Sequence, residues 1–397
     1  MNERRRALLL LEDATTFPGL AFGHVGERSG EAVFNTSMTG YQEILSDPSY
    51  RGQLVTLTSV HVGNYGINAN DMESDRVQVA GLVVRSASRR ASNFRATRTL
   101  EAWLCEHEIP GIMGVDTRAV TRHLRDRGAM MGMIVPDAAP DDIHAALERL
   151  KNVPRYEERD YVAECSVPAP RRVLLEETAD PYVPLRVTLV GEETPWPERL
   201  LELPEVGVLD FGVKYSILRL LAESGFRVTV FPHDTAPETL LARELSGLLL
   251  SNGPGDPGRL GGAVERVRSL VGKVPIFGIC LGHQILAQAV GGRTFKLKFG
   301  HRGPNQPVRV EATGRVQITS QNHGYTVELG ETAQINERVE PVEVTHVNLN
   351  DRTVEGFALP TLRAFGLQHH PEAGPGPHDA SEAFLDFRKV VMASRVL

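Results

Sequence analysis

The sequence predicts an α/β protein of two domains, an N-terminal mixed α/β domain and a C-terminal doubly wound domain with a mostly parallel sheet. Three observations predict it. At 397 residues the chain is long for a single hydrophobic core. Residues 205–292 alternate short apolar runs with helical ones, the pattern of βαβ units that build a parallel sheet. Between that regular half and residues 1–151 lies a stretch, 152–204, punctuated by eight prolines and read as an interdomain connection.

Taken in order, residues 31–37 (EAVFNTS) and 53–59 (QLVTLTS) read as strands from their β-branched content and alternation. Gly40 and Asp47-Pro48 mark turns around a short segment, Tyr41 to Leu45. A helix near 97–107 places Leu100, Trp103 and Leu104 on one face. The next starts at Asp116, a side chain suited to capping free N–H groups, and stops at Gly128. Residues 140–151 also read as helix, and one strand is expected near Leu185 to Val190. The second domain, 205–397, follows as strand 206–211, helix 213–223, strand 226–231, helix 237–245, strand 247–251, helix 264–271, strand 274–279 and helix 283–290. Gly225 and Gly291-Gly292 close two of these helices.

Composition narrows the function. Hydrophobic residues make up 41% and charged residues 23%, as in ordinary globular proteins. Forty-three basic against 50 acidic residues give a formal net charge of -7, which argues against a nucleic-acid footprint. The apolar run after Arg4-Arg5-Arg6 ends at Glu12-Asp13, too short for a signal-peptide core. No run is long enough to span a membrane, so a cytoplasmic location is expected. Cys105, Cys165 and Cys280 are widely spaced, which suggests neither a disulfide framework nor a thiolate metal site.

One of these cysteines stands in a special context. Gly278-Ile279-Cys280-Leu281-Gly282 falls where a strand passes into a helix and is the thiol form of a nucleophile elbow. Its glycines allow the tight turn, and the helix N-terminus favours a thiolate. The Leu281 amide is then placed as one oxyanion donor. A lone cysteine is more often a small buried hydrophobe, so the rest of the chain must decide. The strand expected over 362–368 leads into His369-His370-Pro371-Glu372. Residues two apart on an extended segment share a side, so His370 and Glu372 can cooperate as base and orienting carboxylate. A metal cluster of His369, His370, Glu372 and His378 is disfavoured because adjacent histidines on a strand face opposite ways. Ser251-Asn252-Gly253-Pro254-Gly255-Asp256-Pro257 follows another strand at the same carboxyl edge, where open α/β sheets bind ligands. Gly253 is the candidate second oxyanion donor, and no phosphate-binding loop signature occurs in the chain.

Together the S-N-G-P-G-D-P loop, the G-I-C-L-G-H-Q elbow and the H-P-E ending resemble the class I, or triad, glutamine amidotransferases. The first half of the chain resembles the N-terminal domain of carbamoyl phosphate synthetase small subunits. The matching segments are 34–44 (FNTSMTGYQEI), 47–50 (DPSY), 91–95 (ASNFR) and 116–118 (DTR). In the second half 210–214 (DFGVK), 321–325 (QNHGY) and 375–379 (PGPHD) also fit. His369 stands where relatives often carry an aromatic residue, and Gln306 where histidine is frequent.

The resemblance implies that Cys280, His370 and Glu372 form a catalytic triad acting on the side-chain amide of glutamine through a glutamyl thioester. It also implies that Ser49, Gly253, Gly255, Leu281, Gln284, Asn322, Gly324 and Tyr325 contact that substrate. The chain shows no ATP site and is expected to hold no cofactor or metal of its own. The implied partner is the carbamoyl phosphate synthetase large subunit, carrying ATP and its metal ions and receiving ammonia. The basic and apolar run Lys296 to Arg302 is expected either to help form that subunit contact or to be a solvated loop. Rival expectations are a stand-alone thiol hydrolase or peptidase with the same triad, and a catalytically silent scaffold of the same fold.

Overall fold

The computed structural model describes residues 4–137, 142–335 and 338–394. The chain divides into two compact units, Met1–Tyr161 with Lys298–Gly303, and Val162–Leu297 with Pro304–Leu397.

The first unit is built on a closed barrel of seven strands: β1 (Arg6–Leu11), β2 (Thr16–Gly23), β3 (Arg28–Asn35), β4 (Gln53–Leu57), β5 (Gly81–Val83), β6 (Pro110–Met113) and β7 (Met130–Pro136). The order around it is β1-β2-β6-β5-β4-β3-β7, with β3, β4, β5 and β6 parallel. Closure leaves no edge strand. The short run at Ala7–Leu11 that composition alone left unassigned is β1, whose Leu9, Leu10 and Leu11 are fully buried. Around the barrel lie α1 (Tyr41–Ser46), α2 (Leu100–Glu106), α3 (Thr117–Arg127) and α4 (Asp142–Lys151). The ends of α3 follow from its sequence: Asp116 Oδ1 accepts from the Ala119 amide at 2.9 Å, and Gly128 takes φ +107°. Of the helix expected over 140–151, residues 140 and 141 lie outside the described residues.

The second unit contains an eleven-stranded sheet. Its strands are β8 (Arg171–Glu177), β9 (Leu185–Gly191), β10 (Glu205–Asp210), β11 (Arg227–Pro232), β12 (Gly247–Leu250), β13 (Ile276–Ile279), β14 (Arg293–Val310), β15 (Val316–Glu328), β16 (Glu343–Asn348), β17 (Val354–Leu359) and β18 (Ala364–Leu367). The order is β9-β8-β11-β10-β12-β13-β18-β17-β16-β14-β15. The middle five, β11-β10-β12-β13-β18, run parallel, as the alternating pattern predicts. Both flanks are antiparallel. One flank comes from the proline-rich stretch 152–204, which supplies two strands and not the single one expected. Prolines 168, 170, 181 and 184 bracket these strands without interrupting them, so the punctuation marks turns of a hairpin.

Helices α5 (Tyr215–Glu223), α6 (Pro237–Ala242), α7 (Gly261–Leu270), α8 (Leu281–Ala289) and α9 (Ala383–Ser394) cover the parallel centre. Successive strand residues enter two separate cores, the two sides of a doubly wound sheet. Leu248, Leu250 and Ile276 join α7 and α8, whereas Leu249, Phe277 and Ile279 join α5 and α9. No helix among the described residues is long and apolar enough to cross a membrane.

Candidate active site

The site forms at the carboxyl edge of the parallel strands. β13 ends at Ile279 and α8 begins at Leu281, so Cys280 alone makes the turn, at φ +53° and ψ −103°. A non-glycine residue in that region is strained, and it persists because the surroundings hold it there. Those surroundings are tight. A Cβ on Gly282 would lie 2.1 Å from the Leu250 carbonyl oxygen, and one on Gly278 would lie 2.7 Å from that of Gly282. The Cys280 amide donates to the Leu367 carbonyl at 2.8 Å, fixing the turn to β18. The two glycines therefore serve close packing of strand, turn and helix, as the elbow motif requires.

Beyond β18 the chain bends at Gln368 and His369, His370 donates its amide to the Ser320 carbonyl at 2.9 Å, and a turn follows in which the Ala373 amide donates to the His370 carbonyl at 3.1 Å. His370 Nδ1 lies 2.6 Å from Glu372 Oε1, the pairing expected from the two-residue spacing. Its neighbour His369 faces a different carboxylate, with Nδ1 3.6 Å from Glu355 Oε2. Burial opposes a charged His370, but Glu372 and the Cys280 sulfur outweigh it and push the imidazole well above its ordinary range. The Cys280 sulfur stands near enough to His370 to contribute to that rise, although His370 Nε2 has no hydrogen-bond partner among the described residues. Catalytic contacts of this kind commonly tighten only with substrate present.

A fourth member of the site was missed. Lys214 Nζ lies 2.9 Å from the same Glu372 Oε1 and 2.7 Å from the Ala373 carbonyl oxygen, with both side chains essentially inaccessible. Burial raises the Glu372 pKa, yet Lys214 first and His370 second reverse that and hold the carboxyl well below its usual range. Lys214 is set by the turn after β10. Asp210 Oδ1 accepts from the amides of Gly212 and Val213 at 2.9 and 2.8 Å, and Asn252 Oδ1 accepts from the Lys214 amide at 3.2 Å. The signal was a lysine at the carboxyl end of a parallel strand, inside the segment 210–214 quoted for its resemblance, but nothing local assigned it a partner. Gln368 was missed too. Its Nε2 reaches the Cys280 sulfur at 3.7 Å, and its Oε1 accepts from Gln284 at 3.0 Å.

The remaining candidates fall into four groups. Gln284 Nε2 also donates to the Tyr325 carbonyl at 2.8 Å, so its amide ties α8 to β15 and to Gln368. Asn322, Gly324 and Tyr325 lie on β15, with the Asn322 carbonyl 3.7 Å from the Cys280 sulfur. Gly253 packs so closely that a Cβ there would lie 2.2 Å from the Phe211 carbonyl oxygen, and Gly255 takes φ +96°. Among the described residues the amides of Gly253 and Leu281 donate to no backbone carbonyl. Ser49 belongs to the first unit, in the turn Pro48–Tyr50, where its amide donates to Asp47 Oδ1 at 2.9 Å.

A doubly wound sheet with a strained cysteine elbow and a His–Glu pair at its carboxyl edge defines a class I glutamine amidotransferase, and that family model matches residues 207–390. The model of the carbamoyl-phosphate synthase small chain, CPSase domain, matches residues 9–134. Proteins named carbamoyl phosphate synthase small chain resemble the chain end to end. That of Akkermansia muciniphila is 47% identical over 391 residues, covering 98% of both chains. Those of Syntrophotalea carbinolica and Aquifex aeolicus are 46% and 44% identical, each over 98% of this chain and 99% of theirs. This chain belongs to the carbamoyl phosphate synthase small chain family.

Proposed function

We propose that the chain hydrolyses glutamine for the synthase and passes the ammonia to a large subunit that uses ATP and bicarbonate. The observation that carries this reading is the linked set Cys280, His370, Glu372 and Lys214, with the sulfur on a strained elbow at a helix N-terminus. Cys280 attacks the side-chain amide carbon of glutamine, and the oxyanion is held by the Leu281 and Gly253 amides. His370 protonates the departing ammonia, then takes a proton from the water that cleaves the thioester and releases glutamate. Glu372 holds the imidazole by Nδ1, and Lys214 holds Glu372 ionised in a site where burial alone would neutralise it.

Glutamine is recognised around Gly253, Gly255, Asn322, Gly324 and Tyr325. Gln284 acts by bracing β15 and Gln368. The assignment of Ser49 to this substrate rests on family resemblance alone. The product serves pyrimidine and arginine synthesis in the cytoplasm. The test is glutamate release from glutamine by the chain with its large subunit, with and without ATP and bicarbonate. Release that rises with those substrates and vanishes in Cys280→Ser supports the reading. Release indifferent to both, or surviving Cys280→Ser, overturns it.

A further inference from the structure

Two groups besides His370 stand against the Cys280 sulfur, and they make opposite demands on its proton. As a thiol the sulfur donates to the Asn322 carbonyl at 3.7 Å, and it accepts from Gln368 Nε2 at 3.7 Å. Once the proton passes to His370, the carbonyl faces a negative sulfur and is repelled. The Gln368 N–H then faces the charge that suits it best, because hydrogen bonds to ionised acceptors are the stronger ones. Gln368 is therefore a side chain whose hold on the sulfur tightens as the nucleophile forms.

Its position follows from strand register. β13 and β18 pair in parallel as far as Ile279 and Leu367, so the next residues of the two strands are Cys280 and Gln368. The Cys280 amide donates to the Leu367 carbonyl at 2.8 Å and the Gln368 amide to the Glu355 carbonyl at 2.8 Å, which anchors both backbones. The Gln368 side chain is fully buried.

Which end of that side chain meets the sulfur is set from outside it. The Tyr325 carbonyl can only accept, so the Gln284 atom 2.8 Å away is Nε2. The same Nε2 lies 3.0 Å from the Gln368 amide, whose facing atom must accept and is Oε1. Gln368 Nε2 is thereby turned to the sulfur, and it has no other acceptor among the described residues. Turning this amide over would set two NH2 groups against each other and an oxygen against the sulfur. Two amides in series thus carry a fixed polarity from the backbone of β15 to Cys280.

We propose that Gln368 holds the ionised sulfur of Cys280, its Nε2–H donating to the thiolate that attacks glutamine, with Gln284 setting its orientation. This deepens the reading of Cys280 as the nucleophile and rests on it. The role is distinct from that of the oxyanion donors: Gln368 acts on the attacking atom, before any bond to substrate forms. Its loss should therefore slow turnover with little change in substrate affinity.

The experiment compares Gln368→Met, which keeps the length of the side chain but has no N–H, with Gln368→Glu, which keeps the acceptor for Gln284 but presents oxygen to the sulfur. In the chain with its large subunit, each should lower kcat for glutamine hydrolysis at least about tenfold while KM stays within about twofold. The Cys280 thiolate is read by its ultraviolet absorbance across pH, as the difference between each chain and its Cys280→Ala counterpart. That titration should move to higher pH by about one unit in both variants. Thermal melting checks that each variant folds, and Gln368→Leu replaces Gln368→Met should the latter fold poorly. A parental titration in the uncharged variant overturns the proposal whatever happens to kcat, since lost bracing slows turnover without changing ionisation. Parental kcat and titration in Gln368→Glu overturn it too, because the tie to Gln284 is then all that matters. The titration needs no glutamine: a shift in a chain whose glutamate release survives Cys280→Ala keeps the contact and fails the glutaminase reading. Release that needs Cys280, with no shift, fails the Gln368 role alone.

Discussion

Replacing Lys214 with methionine isolates the group that local sequence left without a role. The substitution keeps the length and apolar stem of the side chain but removes a cation 2.9 Å from Glu372 Oε1. At an effective dielectric of about 20, two unit charges at that separation attract by about 6 kcal/mol. Much of this offsets desolvation of two buried charges, and breaking such a pair costs about 3–5 kcal/mol net. The remaining carboxylate can escape part of that cost by taking a proton. A change of about 3 kcal/mol corresponds to roughly two pKa units, enough to bring Glu372 from about 2 back toward the ordinary carboxylate range. Below the new pKa the neutral acid orients His370 poorly and no longer favours its charged form. Lys214→Met is therefore expected to lower kcat for glutamine hydrolysis most at the acid end of the range, to shift the acid limb of the kcat–pH profile upward, and to lower the urea midpoint. The assay is glutamate release across pH 5 to 9, beside urea unfolding at neutral pH. A variant with parental stability and an unmoved acid limb would show that the pair does not set the charge of Glu372.

Four further outcomes follow from the same geometry. Cys280→Ala should abolish glutamate release while leaving the thermal midpoint near the parent value, because the change removes one buried atom and eases the left-handed turn little; retained release would remove Cys280 from the chemistry. Gly282→Ala should destabilise by about 1–3 kcal/mol or more, since its Cβ would fall 2.1 Å from the Leu250 carbonyl oxygen, and denaturant melting reads this directly. The Glu372 carboxyl is held from 4.5 down to about 2, so it contributes stability that is present above about pH 4.5 and lost as pH falls toward 2. Parent and Glu372→Gln melting curves should accordingly converge over that interval, and a constant difference would contradict the assignment. Gln284→Ala removes the ties to Tyr325 and Gln368 and should raise KM for glutamine with a smaller effect on stability; unchanged kinetics would confine the residue to packing.

How far the site could be read in the sequence depended on the range of the interactions involved. The elbow and the His370–Glu372 pair were legible because each is local: a strand-to-helix turn needs its glycines within two residues, and residues two apart stay close, although this pair meets across the turn from His370 to Ala373 and not on the extended segment expected. The parallel centre was legible for the same reason, each βαβ unit repeating its period along the chain. Lys214 was not, because its partner is 158 residues away and only the packing of two strand ends brings them together. The antiparallel flank over 293–359 was equally hidden. β14 mixes exposed, half-buried and buried positions without a regular period, and β15 buries polar and apolar residues alike over most of 319–327, so no clean two-residue period marks either strand. The barrel strand β1 escaped for the opposite reason: Leu8 to Leu11 is a uniform apolar run, which closure of a barrel under covering helices permits and which periodicity alone cannot tell from a buried helix. The same division applies to His369, weighed in the sequence only in a disfavoured metal cluster and as a departure from an aromatic residue. The two histidines face different carboxylates, but Glu355, which His369 faces, lies on a strand whose pairing local sequence does not reveal. Its environment becomes visible only once those elements are assembled.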